Sequence, residues 1–306
     1  MSKKEKVVLP APRRIRWKNV LPPWYRSHPF PPDKKEPCFI DHTKLLDWST
    51  GKWDKKNYQG IYIYVCTDTM ICSTFDHAPD LKVTRDFLKG SDAHPGDQIF
   101  YIVDNSLCQY DAATGELGEA YAGDVMYSPK GVWHTFVNMT NKPTKAFALN
   151  CPTMCYEDEG PTEGYLGEPK TFDPSEKVTT SMRRFPQVSD RIVTGRIIKE
   201  REAILTLLGK EILIPARVYI NSDYMFAAKC YLQPRQESEK LTFNGDQLLI
   251  TLTGSVDVEC TNGSVEKKWS VGKYDAVFTP AHNAIRYANK SDENATFLII
   301  NSPPPP

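Results

Sequence analysis

The chain has 306 residues, 40% of them hydrophobic and 25% charged, enough for two medium domains or one large one with a packed core. Lys and Arg total 38, as do Asp and Glu, and the two signs are interspersed; no one-signed field draws in nucleic acid or an anionic membrane, and neither is expected as a partner. The apolar stretch in MSKKEKVVLPAPRR is too short for a signal-peptide core and no later run approaches a membrane span, so a cytoplasmic location is expected, with reduced thiols at the eight scattered cysteines.

Residues 1–58 read as a proline-rich arm followed by a short helix. Eight prolines fall within residues 1–37, which excludes a sheet centre or helix interior and predicts an extended arm on the chain's own surface or a partner's, anchored by Trp24, Tyr25 and Phe30. In DHTKLLDWS the spacing predicts one short helix with Asp41 as its N-cap. Residues 59–150 change texture. GIYIYVCTDTMICSTF, DQIFYIVDNSLCQYD, AGDVMYSPKG, VWHTFVNMT and KAFALNC are short β-branched or aromatic runs broken by Gly, Asp, Asn and Pro, the pattern of an all-β sandwich or barrel.

Residues 151–212 lose that pattern, gather Pro, Gly, Glu and Asp, and read as a linker, with a brief helical pattern at IIKEREAILTLLG. Cys151 and Cys155 form a lone C-x3-C, a weak zinc signal read as structural. Strand texture resumes over residues 213–306 and ends in a proline tail.

An internal repeat sets the architecture. GDQIFYIVDNS leads to Pro129 and Asn138, and GDQLLITLTGS leads to Pro280 and Asn289. Gln98 and Gln247 lie 149 residues apart and the two Pro and two Asn pairs 151 apart, so two similar β domains are expected.

Gly123, Pro129, Gly131, His134 and Asn138 fit G-x5-P-x-G-x2-H-x3-N, the second motif of the cupin superfamily, and with the repeat the chain resembles a bicupin. The resemblance implies two double-stranded β-helix (jelly-roll) barrels, over roughly residues 59–150 and 213–301. In cupins the first motif, H-x-H-x3/4-E, joins the second-motif histidine around one metal ion. Here DAHPGDQIFYIVDN stands in its place, with Asp92 at the first histidine position, His94 at the second and Gln98 at the glutamate. Period-two alternation sends residues 92, 94 and 98 to one face of a continuing strand.

His94, His134 and Asp92 would make the two-histidine, one-carboxylate set that holds Fe(II), with Gln98 as a weak fourth ligand. The bland alternative is a buried, hydrogen-bonded core histidine and a satisfied sheet amide. His28, His42, His77 and His282, the last standing where the motif has glycine, are read as structural. Phe100, Ile102 and Phe136 alternate into the same barrel and, with Tyr127, form the candidate substrate lining, although barrel core explains the first three equally simply. Tyr64, Tyr101 and Tyr127 are candidates for a proton donor if they face inward, and no acid or base is assigned. In the second half Leu241, Phe243 and Ile285 replace Asp92, His94 and His134, which predicts a metal-free barrel serving packing, dimerisation or a small apolar pocket.

Three functions are carried forward. The first is an Fe(II) oxygenase acting on a small oxygenated or aromatic compound. The second keeps a divalent metal, as Mn, Ni or Zn, for a lyase or isomerase. The third is a non-catalytic binding or structural bicupin. The resemblance further implies a homodimer or higher homo-oligomer.

Overall fold

The computed structural model describes residues 36–47, 59–67, 69–80, 94, 96–111, 115–151, 195–263 and 265–303. Asp92, Cys155, His28 and the arm anchors Trp24, Tyr25 and Phe30 lie outside them. Strands dominate. The first half contains β1 (Cys38–Ile40), β2 (Leu46–Asp47), β3 (Gln59–Cys66), β4 (Ile71–His77), β5 (Asp97–Asp104), β6 (Ser106–Asp111), β7 (Leu117–Tyr121), β8 (Val125–Ser128), β9 (His134–Val137) and β10 (Thr144–Cys151). The second contains β11 (Arg196–Ile198), β12 (Ile204–Leu208), β13 (Ile214–Asn221), β14 (Phe226–Leu232), β15 (Leu241–Thr242), β16 (Asp246–Thr253), β17 (Val256–Asn262), β18 (Val265–Val271), β19 (Ala276–Thr279), β20 (Ala284–Ala288) and β21 (Ala295–Ser302).

Two seven-stranded sheets, β11-β8-β5-β10-β4-β3-β2 and β1-β19-β16-β21-β14-β13-β12, each face a smaller sheet, β7-β6-β9 in the first half and β15-β20-β17-β18 in the second. The described strand pairs are antiparallel, so each strand can turn alternate residues to opposite faces. Gln98, Phe100 and Ile102 of β5 thus point away from Ile99 and Tyr101. Phe100, Ile102, Met126, Phe136, Ala146 and Ala148 form the apolar interior of the first barrel. Ile99, Tyr101, Val125 and Phe147 instead pack with Tyr219, Leu248, Ile250 and Phe278 in a core shared by the two large sheets.

Two expected helices are short 3-10 turns. His42–Lys44 is capped by Asp41, whose carboxylate accepts from Thr43 N, and the chain then enters β2, where Leu46 pairs with Ile63. At IIKEREAILTLLG only Glu200–Glu202 is helical; Ile204–Leu208 becomes β12 because sheet pairing to Val218–Ile214 offers the run more than an isolated helix of this length would. Strand pairing therefore begins within the segment read as linker, at β11 and β12.

The segments leading into each half cross over. β1 precedes the first barrel but pairs with β19 of the second (Cys38↔Phe278), and β11 precedes the second barrel but pairs with β8 of the first (Arg196↔Tyr127). Side chains repeat the exchange. Tyr64 Oη donates to the Tyr274 carbonyl at 2.7 Å, and Tyr219 Oη donates to the Gly123 carbonyl at 2.8 Å. Both acceptors sit at left-handed positions, with φ of 69° at Tyr274 and 94° at Gly123.

Candidate metal centre

His134 opens β9, and its position follows from the turn before it. Pro129 ends β8, Gly131 takes φ 77° and donates its N–H to the His94 carbonyl at 3.0 Å, and Lys130 N donates to Asp97 Oδ1 at 2.9 Å. That turn ties the short segment at His94 to the start of β9. The two imidazoles meet there with ring centroids 5.3 Å apart and planes at 63°, His94 4% exposed and His134 fully buried.

One bond fixes the chemistry of His134. Its Nδ1 lies 2.8 Å from the Val132 carbonyl oxygen, which only accepts, so Nδ1 carries the proton. In a neutral ring Nε2 is then left with its lone pair, and it lies 2.6 Å from Gln98 Oε1. The contact is a hydrogen bond when the Gln98 amide turns an N–H toward the ring, and with Oε1 turned inward the two lone pairs converge on a point that a cation can occupy. On β10, Asn150 stands opposite Gln98, and its buried Oδ1 has no hydrogen-bond partner among the described residues. Two imidazoles, one of them oriented by a backbone carbonyl, and two amide oxygens on neighbouring strands are donors that suit a divalent transition metal.

Asn150 was not among the residues singled out from sequence. The signal was present: Asn150 and Asn301 are 151 residues apart, the same offset as the motif prolines and asparagines. Ser128, opposite Gln98, and Gln109, which donates to Ser128 Oγ at 2.8 Å, extend the polar layer toward Asp111, opposite His134. Gln109 and Asp111 also line a cleft of about 400 Å³ with Leu117, Gly118, Arg196 and Ile197, so the cleft reaches this layer while the imidazoles stay behind it.

The candidate substrate residues divide. Phe136 touches the His134 ring, with centroids 5.3 Å apart, and stacks obliquely on Phe100 at 4.2 Å; with Ile102 they sit in the apolar interior below the imidazoles. Tyr127 faces the other way. It packs against the shared core, and its hydroxyl donates to Asp97 Oδ2 at 3.0 Å, so its assignment to the substrate lining is corrected: Met126 and Ser128 take the inward positions of β8. Tyr64 and Tyr101 also face the shared core, and burial pushes both hydroxyls well above the ordinary range, so neither serves as a proton donor inside the barrel.

The other described histidines, His42, His77 and His282, have structural partners. His77 Nε2 is 2.8 Å from Asp80 Oδ2, both nearly inaccessible. His282 keeps the left-handed backbone of the glycine it replaces, at φ 65°, and donates its N–H to the Phe243 carbonyl as Gly131 does to His94. Among the described residues, Asp41, His42 and Asp275 also gather metal-competent atoms within 4.8 Å. Their counterpart in the first half identifies the group as a clasp: His42 N donates to Asp275 Oδ1 as Glu200 N donates to Asp124 Oδ1, where Lys199 completes the set.

In the second barrel Gln247, opposite Asn301, hydrogen-bonds to it and to Tyr287, and Ile285 replaces the motif histidine within a packed apolar interior. The described cysteines are all free thiols, and among the described residues no helix is long and apolar enough to cross a membrane.

No protein-family model and no curated protein matches the sequence. Solved structures do match in fold. AerE from Microcystis aeruginosa superposes with a TM-score of 0.56 at 14% identity, over 86% of this chain and 98% of AerE. Oxalate decarboxylase from Bacillus subtilis gives 0.57 at 12% identity over 90% of this chain and 80% of the enzyme. The Lactobacillus farciminis oxalate decarboxylase, solved as a formate complex, gives 0.58 at 11% over 89% and 86%. The two sheet pairs of this all-β chain have the fold of the cupin β-barrels.

Proposed function

We propose that the chain is a bicupin enzyme that holds one divalent transition metal in its first barrel, on His94, His134 and Gln98, and acts on a small oxygenated or aromatic compound. The observation that carries this reading is the approach of His134 Nε2 to Gln98 Oε1 with the far nitrogen already bonded to Val132. Asp92 is assigned as the anionic donor. Support comes from the second barrel, where Leu241, at the matching position, lines an interior cavity together with Phe243. With Asp92 the set is the two-histidine, one-carboxylate arrangement of Fe(II) oxygenases, and oxygenation is the first reading.

A second reading, Lewis-acid chemistry on Mn, Ni or Zn by a lyase or isomerase, is favoured by the neutrality of the described donors, which leave a dication its full charge for an anionic substrate. The Bacillus subtilis oxalate decarboxylase, similar in fold, has Mn(II) centres. Bound here, the ion would supply Lewis acidity and, as Fe(II), a site for dioxygen activation.

The chain's own residues do the rest. Val132 holds the tautomer of His134, Phe100 and Phe136 keep water from the inner side of the imidazoles, and Gln109 and Ser128 bound the approach from the cleft, where Arg196 can meet a substrate carboxylate. A homodimer belongs to the proposal. The β12 edge, with Ile204 69% and Leu205 64% exposed, is the face offered to a second copy.

Elemental analysis of untagged protein tests the metal. About one transition-metal ion per chain, lost in His134→Ala, is expected, and a folded, metal-free wild type would sink both enzymatic readings. Oxygen uptake during turnover separates the first from the second.

A further inference from the structure

β12 ends its sheet, and among the described residues β13 is its one strand neighbour. Edge strands are commonly blunted by charge, proline or shortness. The matching edge of the first half, β2, is two residues long, and one of them is Asp47. β12 has none of these devices. Its sequence is ILTLL, with Ile204 69%, Leu205 64% and Leu207 56% exposed, and the turn after it adds exposed Ile212 and Leu213. Charge is confined to its two ends, with Arg201 and Glu202 before the strand and Lys210 and Glu211 after it.

Pro215 fixes which main-chain groups face the open side. It stands opposite Leu207 and has no N–H, and the pairing of β13 with β14 stops short of it at Ala216↔Cys230, so its nitrogen lies on the β14 side. The ladder bonds to β13 then fall on Ile204, Thr206 and Leu208, and the N–H and C=O groups of Leu205 and Leu207 turn to the edge. The side chains of Leu205 and Leu207 share the face opposite Leu208, which packs against the interior of the second barrel.

A second copy related by a two-fold axis can add its own β12 only where edge-facing groups meet edge-facing groups, so the allowed registers differ by steps of two residues. With Thr206 on the axis, Leu205 meets the partner's Leu207, Ile204 meets the partner's Leu208, and the leucines at 205 and 207 of both copies gather on one face. The same register brings Glu202 beside the partner's Lys210 and Arg201 beside the partner's Glu211. Within one chain Arg201 Nε and Glu202 Oε1 are 3.9 Å apart on side chains 86% and 56% exposed, and Lys210 and Glu211 are exposed as well. Sliding two residues either way sets Leu208 against the partner's Glu202 or Ile204 against the partner's Lys210. Charge thus selects one register.

We propose that two copies of the chain pair antiparallel through β12 about a two-fold axis at Thr206, joining their second-half sheets into one, with the Glu202–Lys210 and Arg201–Glu211 pairs closing both ends. This pairing rests on the homodimer put forward with the proposed function and is independent of the metal. It adds about four main-chain hydrogen bonds between the copies.

Sedimentation equilibrium of the full chain tests it. The wild type is expected as a dimer, and Leu205→Lys, at a position exposed in the single chain, as a folded monomer. Thr206→Cys should give a disulfide-linked dimer under mild oxidation, because residues facing each other across an antiparallel pair have Cα atoms about 4.5–5.5 Å apart. Leu205→Cys and Leu207→Cys, which mark the axes of the two neighbouring registers, should stay unlinked, as should the wild type. Glu202→Lys and Lys210→Glu should each weaken the dimer about threefold or more, and the double variant should recover most of that loss. A monomeric wild type would overturn this pairing and the homodimer together. A dimer that survives Leu205→Lys, that cross-links in Leu205→Cys or Leu207→Cys but not in Thr206→Cys, or that shows no recovery in the double variant would overturn this pairing and leave the homodimer on another face.

Discussion

His134 is made useful by the bond on the far side of its ring. With Nδ1 committed to Val132, the nitrogen facing Gln98 has a fixed role, and the amide opposite is neutral where cupins carry a carboxylate. Replacing that amide by an anion adds a short-range attraction for a cation. Gln98→Glu is therefore expected to tighten metal binding at least tenfold, measured by competition with a chelator, and an unchanged affinity would remove Gln98 from the ligand set. His94 and His134 were legible because motif spacing ties each to a turn that glycine and proline mark. Tyr127 was not, because one residue of strand phase decides which face it takes, and the phase of β8 is set by pairing of Ser128 with Gln98 across the sheet. Asn150 was hidden for a similar reason: its strand neighbour Gln98 is 52 positions away, and only the pairing of β10 with β5 brings the two together.

At the level of elements, the repeat marks scaffolding as faithfully as it marks the site. Asn138 Nδ2 donates to the carbonyls of His77 and Lys142 while its Oδ1 accepts from Thr140, closing the loop between β9 and β10. Asn289 does the same for Leu232, Glu293 and Ser291 in a barrel with no imidazole pair. The motif asparagine is thus a loop clamp. Asn138→Ala and Asn289→Ala should each cost about 2–4 kcal/mol in denaturant unfolding, with metal content per folded chain unchanged in the second.

The small sheet of the second barrel carries a separate pH signature. Arg286, across from Glu259 with Nη2 2.6 Å from Oε2, holds that carboxyl down to about 2, assisted by Lys240 and Lys268. A depressed native pKa stabilises the fold above the unfolded value of 4.5 and loses that contribution as pH falls toward 2. Glu259→Gln should destabilise by about 1 kcal/mol at pH 7 and flatten the decline of Tm below pH 4.5, with the two proteins converging near pH 2. The helical turns expected after Asp41 and within IIKEREAILTLLG are present at His42–Lys44 and Glu200–Glu202 but stop at one 3-10 turn each, because each belongs to a clasp with the opposite half, where Asp275 and Asp124 fix the backbone.

Across the whole molecule, the core shared by Tyr101, Phe147, Leu248 and Phe278 is as buried as either barrel interior, so neither half has a complete core of its own. Calorimetry should show one unfolding transition, and two resolved transitions would contradict the coupling. That two similar β units exist could be read from the paired Gln, Pro and Asn offsets. How they join could not, because β1 reaches its partner strand across more than 230 residues and no local pattern announces so distant a pairing. The exchange of β1 and β11 has a further consequence. If the gene were divided between the barrels, each fragment would carry a leading strand shaped to complete the other and would lack its own. Mixed in one tube, the fragments should reassemble into the parent, and either one kept alone would seek a sibling to lend the missing edge.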